Sequence, residues 1–233
     1  MTFWEHLEEL RSRLLIYLFF FILCFIPATY FSTFFISFLL KPTLKVIDIQ
    51  QLVTLNLFDR VNIFFKMSFY ISFIFSFPML IFQLYKFIEP AYNSVSKKTL
   101  SLFVLFLSLL FFLGISIGYF FVLPKTLSLF INFAHLEGST QLQLKNHLIF
   151  SIKILILSGL FHCVPLFMAI AAKISWISFE LLKKYHSMII LGLCIFSAFI
   201  TPSDFLSLLL VWIPLVFLFE LGFLLVFFID KKQ

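Results

Sequence analysis

The stretch FSAFITPSDFLSLLLVWIPLVFLFE, residues 196–220, places a short polar step between two apolar runs. Between residues 187 and 229 the chain carries two charges, Asp204 and Glu220. A soluble protein could not expose so much apolar chain, and a chain of 233 residues could not bury all of it. The stretch therefore predicts two membrane-spanning helices joined by a tight turn.

The composition of the whole chain gives the same class. Apolar residues make up 62% and charged residues 12%, against roughly 45–50% and 25% in soluble domains. The 38 phenylalanines and 6 glycines suggest an AT-rich gene from an organelle or a reduced genome. The lysines cluster at helix ends, so the net charge of +6 calls for no nucleic-acid partner. The three cysteines have no CxxC spacing, and we expect no disulfide, metal or cofactor.

Charged residues separate the apolar runs, and about 20 apolar residues suffice to cross a bilayer. The sequence predicts an all-α, single membrane domain with spans at residues 14–34, 67–85, 99–123, 154–172, 187–200 and 205–229. Six crossings place both termini on one side. Ten of the 17 basic residues lie on that side, which the positive-inside rule assigns to the cytoplasm, stroma or matrix. The charged and acidic first residues are not typical of a cleaved leader.

Five charged residues precede the first span: Glu5, Glu8, Glu9, Arg11 and Arg13. In one interpretation the acids face the positive end of the helix dipole and the arginines anchor at lipid headgroups. In the other, the carboxylates form a patch for a cationic ligand, because a carboxylate accepts a guanidinium bidentately. The residues themselves leave both open.

The remaining ionisable residues within apolar runs are few. Asp204 suits a turn or helix cap, whereas Glu220 lies deep in the sixth run, where such groups are costly and usually functional. On an ideal helix the two lie roughly 24 Å apart, too far for a carboxylate dyad. His162 and Cys163 are adjacent, so they point in different directions and suit a packed polar pair better than a metal site. No catalytic motif is present, and we expect no enzyme.

Five motifs resemble the TatC family, the multi-spanning receptor and core subunit of twin-arginine protein translocases. They are HLEELRSRL (6–14), LKPTL (40–44), the run from Pro78 through FQLYKFIEPA (78–91), FITPSD (199–204) and IPLVFLFE (213–220). The resemblance covers the whole chain in order. It implies a concave, glove-like bundle with short fifth and sixth helices and both termini in the cytoplasm or matrix. It also implies transport of folded precursor proteins with signal peptides, driven by the proton motive force. The implied partners are single-span TatA/TatB-like subunits and further copies in an oligomer.

The resemblance also implies residue roles. Signal recognition falls to Glu9 and Arg11 in the tip and to Phe87 and Pro90 in the loop after the second helix. Transport or subunit contact falls to Pro42, Cys163, Asp204 and Glu220. Three positions depart from the family pattern: Ser96 replaces a loop glutamate, Cys163 a polar residue of the fourth helix, and Leu208 a glutamine. Losing the glutamate removes one guanidinium partner, about 1.5–3 kcal/mol per charged hydrogen bond. In having lost such residues, this chain resembles the mitochondrial branch of the family.

Two other functions remain as alternatives. A proton-coupled small-solute carrier could use Asp204 and Glu220 as relay acids, although carriers usually show internal repeats and broken helices. A structural membrane subunit of a respiratory complex is the third reading. The favoured location is the mitochondrial inner membrane, with a bacterial plasma membrane or a thylakoid as alternatives.

Overall fold

The computed structural model describes residues 3–44, 52–53, 57–88, 97–128, 142–173, 175–200 and 205–231. Within these ranges six helices are long and apolar enough to cross a membrane, which confirms the predicted helix number and fold class. They are α1 (Phe3–Leu44), α2 (Leu57–Ile88), α3 (Lys97–Ile117), α4 (Leu144–Lys173), α5 (Phe179–Ile200) and α6 (Phe205–Asp230). The third helix continues through a π-helical turn, Gly118–Val122, to residue 128. Two-residue strands β1 (Leu52–Val53) and β2 (Leu142–Gln143) pair in parallel.

The helices extend past the charges from which the spans were predicted. α1 begins at Phe3 and includes the charged tip, and α5 begins at Phe179 rather than at residue 187. Lys, Arg and Glu are good helix formers, so a charge ends contact with lipid without ending the helix. With 42 residues, α1 is about 63 Å long, twice the thickness of a hydrocarbon core. With 22 and 26 residues, α5 and α6 are nevertheless the two shortest of the six described helices when α3 is followed through its π-helical turn to residue 128, as the resemblance implied.

The described residues form two compact units. The first comprises Met1–Leu110 and Gln141–Ile156, and α1 packs along α2 within it. Buried Ser68, Ser72 and Ser76 lie four residues apart on one face of α2, and Ser76 Oγ lies 3.2 Å from the Tyr17 hydroxyl of α1. Small side chains at this spacing let two membrane helices approach closely. The single membrane domain proposed from the sequence stays a prediction.

The second unit comprises Phe111–Thr140 and Leu157–Gln233. Its core joins the end of α4 to the α5–α6 pair through Met168, Ala172, Leu182, Phe219 and Val226. Gly222 of α6 lies against Met168, and a Cβ there would lie 2.6 Å from the Met168 sulfur. A larger residue at this position would displace the Met168 side chain and press on the Pro165 backbone, 3.1 Å from that Cβ, so glycine suits the close approach of α6 to α4.

Candidate functional site

The N-terminal tip of α1 carries a small polar cluster. His6, Glu9 and Arg13 lie on one helical face because they are three and four residues apart. The Arg13 Nε donates to Glu9 Oε1 at 3.0 Å, and its Nη2 donates to the same oxygen. The other oxygen, Oε2, is buried and accepts no hydrogen bond from the described residues. It lies 4.0 Å from His6 Nδ1.

His6 connects this tip to the end of α2. Its imidazole stacks on the Phe87 ring with centroids 4.3 Å apart and an angle of 22°. The structure thus brings together two predicted recognition residues, Glu9 and Phe87, with His6 between them. Arg11 is exposed, two residues from Glu9 and therefore on a different face of α1. Pro90 and Ser96, also predicted for recognition, lie outside the described residues.

Sequence reasoning missed the parts of His6 and Arg13 in this cluster. It read Arg13 as an anchor at lipid headgroups and gave His6 no role. The spacing of His6, Glu9 and Arg13 was the available signal, since residues at i, i+3 and i+7 share one helical face. The stacking on Phe87 had no such signal, because it joins two helices.

Pro42 lies at the other end of the first unit, where α1 ends. Pro42 is buried, and the adjacent Thr43 Oγ1 is 2.7 Å from His147 Nε2 of α4. Nearby on the same helix, Lys145 Nζ donates to Asp59 Oδ1 of α2 at 2.8 Å. These contacts hold the ends of three helices together, so Pro42 belongs to a rigid junction.

Cys163 of α4 is fully buried, and its thiol donates to the Gly159 carbonyl at 3.4 Å. His162, next to it, is partly exposed and its Nδ1 lies 2.7 Å from the Ser158 carbonyl. The two side chains do have different environments, as adjacent helical residues should. Cys163 faces the protein interior, so it does not itself offer a surface to another chain.

Glu220 takes part in a polar contact between α5 and α6, and two further such contacts lie among the described residues. His186 Nε2 lies 2.8 Å from Glu220 Oε1. The backbone N–H of Phe179 donates to Asp230, and Trp212 Nε1 donates to the Ile190 carbonyl at 3.3 Å. Glu220 therefore has a partner on the neighbouring helix, a contact that sequence reasoning did not find. Asp204 lies outside the described residues.

No part of the described chain suits a metal ion. Within residues 3–44, 52–53, 57–88, 97–128, 142–173, 175–200 and 205–231, no three or more His, Cys, Asp or Glu side chains form a group that could hold one. The polar contacts among the described residues include ion pairs such as Arg13–Glu9 and Lys145–Asp59 and neutral pairs such as Tyr17–Ser76. Their chemistry is the binding of charged or hydrogen-bonding groups.

Comparison with known proteins relates this chain to a protein family. The sequence model of the TatC family, Sec-independent protein translocase protein, matches residues 5–214. The Sec-independent protein translocase protein TatC of Aquifex aeolicus is 31% identical over 227 residues, covering 97% of this chain and 94% of that protein. The protein of the same name from Campylobacter jejuni is 30% identical, covering 95% and 91%. A crystal structure of a twin arginine translocase receptor, TatC, superposes with a TM-score of 0.86 at 30% identity, over 96% of this chain and 99% of that one.

Proposed function

The chain belongs to the TatC family of Sec-independent protein translocase proteins, and we propose that its N-terminal tip is a receptor for signal peptides. The family's named members are translocase components, a transporter class rather than an enzyme class. The chain is accordingly a multi-pass membrane protein of protein transport. The resemblance recognised in the motifs is thereby confirmed.

The observation that carries the proposal is the position of the Glu9 carboxylate beside the His6–Phe87 stack. A guanidinium binds a carboxylate through paired hydrogen bonds and is attracted to the face of an aromatic ring. Glu9 and Phe87 offer both within one cluster. We propose that a signal arginine binds here, and Arg11, Pro90 and Ser96 stay proposed for signal recognition. Because Ser96 is not a carboxylate, a second arginine finds no partner at that position.

We further propose that the chain is the core to which other subunits bind. The partners are single-span TatA/TatB-like subunits and further copies of this chain, and the cargo is folded precursor proteins. Pro42, Cys163, Asp204 and Glu220 are the residues proposed for transport or subunit contact. Cys163 is buried and would act through its neighbours. Glu220, whose side chain is partly exposed beside His186, could contact a partner directly.

The proton motive force is proposed as the energy source. Moving one elementary charge through the potential releases about 2.3 kcal/mol per 100 mV. Both termini are proposed to face the side richer in basic loops. Single cysteines introduced at positions 2 and 233 should react with a membrane-impermeant maleimide from the same side. Reaction from opposite sides would refute this orientation.

We also propose the membrane in which the chain is located. The phenylalanine-rich composition and Ser96 favour the mitochondrial inner membrane, whereas the relatives compared above are bacterial. Immunodetection of the chain in purified mitochondrial and plasma-membrane fractions of its source distinguishes the two.

Binding of a synthetic twin-arginine signal peptide to the purified full chain in nanodiscs tests the receptor. Glu9→Gln should weaken binding because the amide lacks the charge that strengthens a hydrogen bond to guanidinium. Glu8→Gln is the matched control, since it removes the same charge from an exposed residue on the next face of the tip. Equal affinities of the Glu9→Gln variant and the unsubstituted chain would contradict the proposal.

A further inference from the structure

Three helix ends meet on one side of the second unit. Ala172 of α4, Leu182 of α5 and Val226 of α6 are buried in the same core. At the start of α5 the backbone N–H of Phe179 donates to the Asp230 carboxylate at the end of α6. The end of α4, the start of α5 and the end of α6 therefore form one surface. The proposed receptor tip lies in the other unit and uses none of it.

Four exposed lysines surround this surface, which we call the basic end: Lys173, Lys183, Lys184 and Lys231. Lys183 lies one turn after Phe179 on the same helical face, and Lys231 directly follows Asp230. The Phe179–Asp230 contact thus brings these two lysines to the same place.

The acids at the basic end do not neutralise it. Glu180 and Asp230 are the carboxylates among described residues 171–184 and 227–231, and Asp230 accepts the Phe179 N–H. Within the described part of the chain, no ion pair joins Lys183, Lys184 or Lys231 to a carboxylate. The basic end therefore offers positive charge to an outside anion.

The lysines lie at the boundary of the apolar spans. One span ends at Lys173 and another at Asp230, and residues 187–200 of α5 carry no charge. Lys184 precedes that uncharged run by three residues, about 4.5 Å along the helix axis. Between α4 and α5 the Trp176 side chain is 61% exposed, and tryptophan is enriched where a membrane meets water. The basic end is thus at the level of lipid headgroups.

An exposed apolar stripe continues from Lys184 toward the membrane interior. Met188, Leu191 and Ile195 follow Lys184 by four, seven and eleven residues, so the four side chains share one face of α5. Each of the three apolar side chains is more than half exposed. A cation above an apolar stripe matches the two parts of a phospholipid, a phosphate and an acyl chain.

We propose that the basic end binds an anionic phospholipid whose headgroup carries two phosphates. Lys183, Lys184 and Lys231 bind the phosphates, and one acyl chain lies along the α5 stripe. Basic surfaces between the ends of membrane helices bind such dianionic headgroups. A free phosphate would use the lysines and leave the apolar stripe without a role, so a lipid fits the whole surface better. This site is separate from the proposed function and does not depend on it.

Trp176 supplies the reporter for a test. The chain has three tryptophans, so Trp4→Phe together with Trp212→Phe leaves Trp176 as the source of indole fluorescence. The full chain is placed in phosphatidylcholine liposomes that contain cardiolipin or phosphatidylcholine with a nitroxide near the headgroup end of one acyl chain. Quenching of Trp176 at equal nitroxide content compares the affinities of the two lipids. We expect at least a fivefold preference for cardiolipin, the factor that one basic residue contributes at an anionic surface.

Substitution of the lysines should remove the preference. Lys183→Gln combined with Lys184→Gln should lower it at least fivefold. Lys41→Gln combined with Lys66→Gln is the matched control, because it removes the same charge from exposed residues of the first unit. That control should leave the quenching of Trp176 unchanged.

Equal quenching by both lipids, or an unchanged preference in the Lys183→Gln/Lys184→Gln chain, would overturn the inference. Equal quenching by nitroxide-labelled phosphatidylglycerol and cardiolipin would refute the requirement for two phosphates. A preference lost in inorganic phosphate but kept in sodium chloride of the same ionic strength would identify a site for free anions instead. A preference that changes with the protein-to-lipid ratio would identify a second copy of the chain as the occupant. Signal-peptide binding on the same samples reports the proposed function separately.

Discussion

Replacing Arg13 with Gln should strengthen the binding of a signal peptide. Arg13 directs two N–H donors at Glu9 Oε1, so the carboxylate already holds a guanidinium from its own helix. A signal arginine that binds Glu9 must displace Arg13 or share the carboxylate with it. Removing this internal competitor leaves the carboxylate open and the rest of the tip unchanged.

The exposure of the pair sets the size of the gain. Exposed i,i+4 ion pairs contribute about 0.3–0.5 kcal/mol, and hydrogen bonds to charged groups about 1.5–3 kcal/mol. The Arg13 and Glu9 side chains are 21% and 18% exposed, between these two situations. A contribution of about 1 kcal/mol corresponds to an affinity gain of about fivefold.

Fluorescence anisotropy of a labelled twin-arginine peptide, titrated with the chain in nanodiscs, measures the change. The Lys183→Gln variant controls for the lost positive charge, because Lys183 is exposed and lies in the other unit. The gain should disappear in the Glu9→Gln background, where no carboxylate remains to be released. Unchanged or weaker binding in Arg13→Gln at normal abundance, with the Lys183→Gln variant unaffected, would refute the reasoning and make Arg13 a support for Glu9.

Three further predictions concern Ser96, Asp204 and Glu220. Ser96→Glu should raise twin-arginine peptide affinity at low salt, and added salt should reduce the gain because exposed charges are screened; an unchanged affinity at low salt counts against a recognition role for this loop position. Asp204→Asn should leave membrane abundance normal and abolish cargo export, since Asn caps helices about as well and removes the charge alone; normal export would make the residue a helix cap and no more. Glu220→Gln should insert normally with a milder export defect, because Gln can still hydrogen-bond His186. Glu220→Leu should lower membrane abundance, measured by quantitative immunoblots. Equal abundance of the Glu220→Leu variant and the unsubstituted chain would mean that the His186 contact adds no stability.

The number and order of the helices could be predicted from the sequence because each membrane crossing requires a continuous apolar segment of the chain. Each crossing must satisfy its own backbone and present about 20 apolar residues, so apolar length alone revealed six spans. The motifs around Glu9 and Phe87 likewise revealed the family. Helix ends were harder to predict from the sequence, because Lys183 and Lys184, taken as the boundary of the fifth span, lie inside α5 and not at its beginning.

Tertiary structure alone decided which polar residues of different helices meet. Glu220 and His186 are 34 residues apart in the chain, and Thr43 and His147 are 104 apart. Glu9 could be assigned to a polar tip from the sequence, but its link to Phe87 through His6 depends on how α1 crosses α2. Periodicity fixes which residues share one helical face, whereas contacts between helices depend on packing that composition does not encode. The apolar pattern therefore determined the helices of this protein, and the close approach of those helices determined its candidate sites.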